Sequence, residues 1–136
     1  MFHRFGLVIA FAALAVPARA DDAIDFGRDV RPLLARHCFA CHGRDAEARK
    51  AELRLDVRAV AVEAGAIVPG KPEASTLLAR IESDDPAMRM PPLDSGHELS
   101  ADEKRRLRTW IESGATYTEH WSFVPPKKSA LPAVER

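Results

Sequence analysis

The sequence predicts an all-α domain of three to four short helices. Three observations lead there. Apolar residues recur at helical spacing in four separate stretches. Helix start and stop residues bracket those stretches: Asp29, Asp56 and Ser100 at the beginnings, Gly43, Gly65 and Gly114 at the ends. The third observation is the run Cys38-Phe39-Ala40-Cys41-His42, which holds both cysteines of the chain.

Residues 1–20 lie before the fold. His3 and Arg4 give a basic start, Phe5 to Val16 is apolar, and Ala18-Arg19-Ala20 is a small-residue cleavage site. We expect a signal peptide over 1–20, cut near Ala20, with a periplasmic or otherwise exported mature chain; the other reading is an uncleaved N-terminal anchor. The apolar run is too short for a comfortable membrane span and no stop-transfer segment follows, so no span is expected in the mature chain. Removing 20 of 136 residues leaves 116, one small domain. Two arginines and no acids go with the leader, which takes the net charge from 0 to −2. That balance gives no support to nucleic-acid binding.

After a polar lead with Ile24 and Phe26 as apolar points, the first helix is expected from Asp29, with Pro32 tolerated in its first turn. Val30, Leu33, Leu34 and His37 carry the helical spacing into the cysteine run. There the pattern C-x-x-C-H is the attachment signature of a c-type haem. Two thiols must reach the two vinyl groups of one porphyrin, and the next imidazole must reach the iron from the same side. On a continuous helix Cys38, Cys41 and His42 stand at i, i+3 and i+4 and share a face. His42 is then the proximal iron ligand. Three other readings compete. A thioredoxin-like pair would sit beside a βαβ pattern, and none is visible. A zinc site would need His42 plus His37, His97 or His120, without the usual histidine pair. A disulfide would close a short, strained loop. His37 could also be read as a ligand, but reads better as a helix residue beside the haem.

Gly43 is expected to end this helix, and the charged stretch 44–50 to form an exposed loop. Leu53 and Leu55 alternate with polar residues, suggesting a short extended piece. Asp56 is the expected cap of a helix over 57–64. Arg54 is a candidate partner for a haem propionate, against a solvated arginine. Val68-Pro69-Gly70 makes a turn, Pro72 opens a helix over 73–82, and Leu77, Leu78 and Ile81 form its core face. Residues 83–96 are irregular. Met90 precedes Pro91-Pro92 and so sits on a stiff, extended loop, suited to holding a thioether over iron. Met88, His97 and an open site are the alternatives to Met90, and core filling is the bland one. Ser100 and Glu103 make a capping box for a helix to about Ser113, with Leu107, Trp110 and Ile111 inward and Trp110 crossing the first helix. Tyr117, Trp121 and Phe123 form an aromatic tail, and 125–136 is a disordered tail or linker.

Taken together, Asp29-Val30-Arg31-Pro32, the C-x-x-C-H run with Gly43, Leu53-Arg54-Leu55-Asp56, Val68-Pro69-Gly70, Met90-Pro91-Pro92, Trp110-Ile111-Glu112-Ser113-Gly114-Ala115 and His120-Trp121 occur in one order. That order resembles the planctomycete-type cytochrome c domain, over roughly Ile24 to Pro126. The resemblance implies a small cytochrome c-like fold of three to four helices packed around one covalently attached haem, with the domain over 24–124. It implies thioethers at Cys38 and Cys41, His42 as proximal ligand and Met90 as distal ligand. It also implies single-electron transfer to a redox partner protein, not an enzyme. A haem enzyme or gas sensor with an open distal site is the alternative, as is a docking module in which haem is only structural.

Overall fold

The first helical turn begins earlier than the sequence suggests, because two aspartates share the capping. The computed structural model describes residues 23–118. In it the Asp25 side chain accepts the Arg28 backbone N–H at 2.7 Å, while the Asp29 carboxylate accepts the Asp25 N–H at 2.9 Å. Asp25, not Asp29, is therefore the cap. The turn that follows, Phe26–Val30, is π-helical and buries Phe26 and Val30. The wide turn closes through the Arg31 N–H, which donates to the Phe26 carbonyl five residues back. Helix α1 then runs Arg31–His37, with Leu33 and Leu34 buried.

The expected continuous helix breaks at Cys38, whose φ of −127° leaves the helical range, and a second short helix, α2, covers Phe39–His42. Three more follow: α3 over Arg58–Glu63, α4 over Thr76–Ile81 and α5 over Ala101–Glu112. Single 3₁₀ turns occupy Pro72–Ala74 and Leu93–Ser95, and no strand occurs among the described residues. The all-α expectation therefore holds, with five α-helical segments because α1 and α2 are separate. The described residues include no helix long and apolar enough to cross a membrane. The expected leader over 1–20, His120, Trp121, Phe123 and the tail from 125 lie outside the described residues.

Two expected helices start differently. Helix α3 is capped by Val57 with no side-chain bond, so Asp56 is not its cap. The helix expected over 73–82 is divided at Ser75, which is buried. Its hydroxyl accepts the Val68 N–H at 2.9 Å and donates to the Lys71 carbonyl at 3.0 Å, tying the Pro69-Gly70 turn to the start of α4. Leu77, Leu78 and Ile81 then face inward as predicted. Helix α5 has the expected capping box: Ser100 Oγ accepts from Glu103 N–H, and the Glu103 carboxylate accepts from Ser100 N–H at 2.8 Å.

Helix α5 packs on the π-helical turn and on α4. Trp110 meets Phe26 with ring centroids 5.6 Å apart, so the crossing falls on the turn that opens α1. Tyr117 stacks on Phe26 at 4.3 Å and donates its hydroxyl to the Leu55 carbonyl at 2.8 Å. The Trp110 indole N–H donates to the Thr116 carbonyl at 3.0 Å. Arg58 adds a bond to the Ala115 carbonyl at 2.9 Å. Arg108 bridges Glu73 and Glu82, which flank α4. These contacts close the core and leave the Cys38–His42 turn on its border.

Candidate functional site

The site grows from the end of α1. Leu34 accepts the Cys38 N–H at 2.8 Å, and Cys38 in turn accepts the N–H groups of Cys41 at 3.1 Å and His42 at 2.8 Å. The hydrogen-bond ladder thus runs through the break, and Cys38, Cys41 and His42 occupy one helical turn. Both thiols are free; Cys38 is half-buried against the core and Cys41 is exposed. Burial, and then the neighbouring Cys41, push the Cys38 thiol up to about 12. Cys38 therefore stays a neutral thiol at neutral pH.

His42 Nδ1 lies 3.2 Å from the Lys50 carbonyl. A carbonyl only accepts, so Nδ1 carries the proton and Nε2 keeps its lone pair. Burial lowers the His42 pKa; the Lys50 bond opposes this, and the charge of Arg80 adds to it. A neutral imidazole fixed through one nitrogen and offering the other is the form a metal ligand needs. Two further bonds hold the loop in place: Lys50 N–H to the Cys41 carbonyl at 2.7 Å, and Leu55 N–H to the His42 carbonyl at 2.9 Å. Gly43 follows in extended geometry, φ −120° and ψ −156°. A Cβ there would overlap the Phe39 carbonyl oxygen. The residue stops the helix as expected, but in extended geometry and not through a left-handed turn, and the close Phe39 carbonyl leaves room only for glycine.

Met90 is half-buried, and its N–H donates to the Arg80 carbonyl at 3.0 Å. The Arg80 guanidinium donates to the Met88 carbonyl at 3.3 Å. Arg80 thus fastens the methionine loop to the end of α4, and its charge is felt at His42. Met88, at 47%, and Leu93, at 64%, are the exposed large apolar side chains among the described residues, and both flank Met90.

Other candidates are occupied. The His37 side chain is buried, with Nδ1 3.1 Å from the His97 carbonyl and Nε2 3.3 Å from Glu103. Both nitrogens are engaged, so His37 is a brace between α1, α5 and the loop before α5. Arg54, the candidate propionate partner, binds Asp56 through two bonds of 3.1 and 2.6 Å, so two of its guanidinium nitrogens donate to a carboxylate of the protein itself. Asp56 is held below the usual carboxylate range chiefly by that arginine. Among the described residues no three His, Cys, Asp or Glu side chains are placed to hold a bare metal ion. A cleft of 220 Å³ lined by Arg28, Asp29, Arg105 and Arg106, among others, includes none of the motif residues.

The sequence reading missed Lys50 and Arg80. Lys50 acts through its backbone carbonyl, which no residue type signals. Arg80 acts through its backbone and its charge, at a position that reads as the outer face of a helix.

Two free thiols and a neutral imidazole whose Nε2 has no partner among the described residues, all on one turn, fit a covalently held porphyrin. A family model described as planctomycete cytochrome C matches residues 38–94. No curated protein and no solved structure matches the chain. The matched stretch begins at Cys38, takes in the whole C-x-x-C-H turn and Met90, and so matches the planctomycete-type cytochrome c domain, the family its motifs resemble.

Proposed function

We propose that this chain is an exported monohaem c-type cytochrome that carries single electrons. The observation that carries the reading is His42: its Nδ1 is committed to the Lys50 carbonyl, and its Nε2 is free on the turn that bears both thiols. Cys38 and Cys41 would form the thioethers, His42 would take the proximal position and Met90 the distal one. When bound, haem supplies a one-electron ferrous–ferric couple. The protein's part is to fix the imidazole through Lys50, to hold the methionine loop through Arg80, and to shield one side of the group with the core around Cys38 and Phe39. With both axial positions filled no substrate reaches the iron, so the chain would act as a carrier and not an enzyme. The partner would be another redox protein, met outside the cytoplasm after removal of residues 1–20.

The test is expression with haem-attachment machinery and export. The mature chain should carry the mass of one haem and stain for haem after denaturing electrophoresis. The ferric protein should show the optical band of iron–thioether bonding, and Met90→Ala should abolish it. A mature chain with the mass of its amino acids alone would end the haem reading. An unchanged spectrum in Met90→Ala would move the distal role elsewhere.

A further inference from the structure

Arg49 is expected in an exposed charged loop, yet its side chain is only 16% accessible. Its Nε is buried and has no hydrogen-bond partner. The nearest carboxylate, Glu52, lies 3.9 Å away, beyond hydrogen-bonding distance, and is itself 88% exposed. A guanidinium Nε–H withdrawn from water without an acceptor is unfavourable. The backbone on its C-terminal side is bolted to the haem motif: Lys50 N–H donates to Cys41, and Lys50 C=O orients His42. Arg49 therefore stands one residue from the carbonyl that sets the proximal imidazole. The other candidate cation, Arg54, is already paired with Asp56.

We propose that Arg49 is the positioning residue for a carboxylate of the bound porphyrin, receiving a haem propionate on its guanidinium fork. The inference rests on the haem reading. A planar fork of donors matches a carboxylate, and the buried Nε gains the acceptor it lacks. A cation held beside the group disfavours the more positive ferric form and so raises the reduction potential.

The test uses the full mature holoprotein, with Arg49→Met and Arg49→Lys. Haem mass is measured first; its absence from the unsubstituted protein overturns the haem reading and this proposal with it. With haem attached, Arg49→Met should lower the midpoint potential by about tenfold in the oxidised-to-reduced ratio, about 59 mV for one electron. The same variant should show a steeper rise of potential towards acid pH, because a propionate without its cation protonates more easily. It should also unfold at lower urea. Arg49→Lys keeps the charge and loses the fork, so its potential should fall between the two. If Arg49→Met matches the parent in potential and pH profile, or is more stable than it, Arg49 holds no propionate. Should Arg49→Met yield no folded protein, a pH profile of Arg49→Lys that superimposes on the parent's overturns the proposal equally.

Discussion

Substituting Gly43 by alanine isolates one close contact at the haem motif. The Gly43 φ of −120° is open to any residue, so alanine meets no backbone strain there. Its Cβ would instead overlap the Phe39 carbonyl oxygen, closer than real Cβ atoms approach, and lie 3.1 Å from the Phe39 carbonyl carbon and 3.2 Å from its Cβ. Two of these three atoms are backbone of α2 and cannot rotate away, so the last turn of α2 must open. Overpacking commonly costs about 1–3 kcal/mol, and the involvement of backbone puts Gly43→Ala near the upper end, about 3 kcal/mol. Gly65 supplies the control. It has a φ of 65°, and a Cβ added there would meet nothing within 4 Å. Gly65→Ala therefore costs only left-handed strain, about 1 kcal/mol. Urea unfolding of the holoproteins measures both. For an m-value of about 1–3 kcal/mol/M, Gly43→Ala should lower the midpoint by about 1–3 M. Because the opened turn bears His42, the proposed proximal ligand, the haem bands of Gly43→Ala should also shift, whereas those of Gly65→Ala should not. If Gly43→Ala costs no more than Gly65→Ala, the close packing of residue 43 on α2 is wrong.

Trp110→Phe keeps an aromatic ring but strands the Thr116 carbonyl and leaves a small void; it should cost about 2 kcal/mol in urea unfolding, and a loss below about 0.5 kcal/mol would mean that the bond contributes little. Glu103 is held below its ordinary value of 4.5, first by the Ser100 backbone bond and then by the Ser100 hydroxyl and His37. A depressed carboxyl contributes stability that is present above its unfolded value and lost as pH falls through the folded one. Glu103→Gln should therefore be less stable at neutral pH yet show a flatter loss of stability in acid; parallel curves would refute the linkage. In chain produced without haem, an alkylating agent near neutral pH should modify exposed Cys41 well before Cys38, whose buried thiol sits at about 12; equal rates, read by peptide mass, would contradict the burial of Cys38.

What could be read from the sequence was what depends on near neighbours. The Ser100–Glu103 box lies within one turn, and Leu107, Trp110 and Ile111 follow from one helical period. The C-x-x-C-H turn is equally local, although the helix expected to carry it breaks at Cys38. Competition between equivalent residues was not legible. Asp25 and Asp29 are both good caps four residues apart, and the structure uses one as cap and the other as its anchor. Asp56 had two possible duties and took Arg54 over α3. Long-range bonds were invisible as well. Ser75 divides a helix because the Val68 N–H, seven residues back, reaches its hydroxyl. Arg49 belongs to this group, since no pattern in a charged run marks the arginine that will lose its water.

The aromatic cluster joins the two ends of the described residues. Phe26 stands near their beginning, while Trp110 and Tyr117, the rings it meets, stand near their finish. Synthesis proceeds from residue 1, so Phe26 waits for more than eighty residues before its neighbours exist. Until then the turn at 38–42 has no finished interior beside it. The architecture therefore gives the Cys38 sulfur an interval of open access before the core closes beside it, while Cys41 stays exposed throughout, and completing that core falls to the stretch that carries Trp110 and Tyr117.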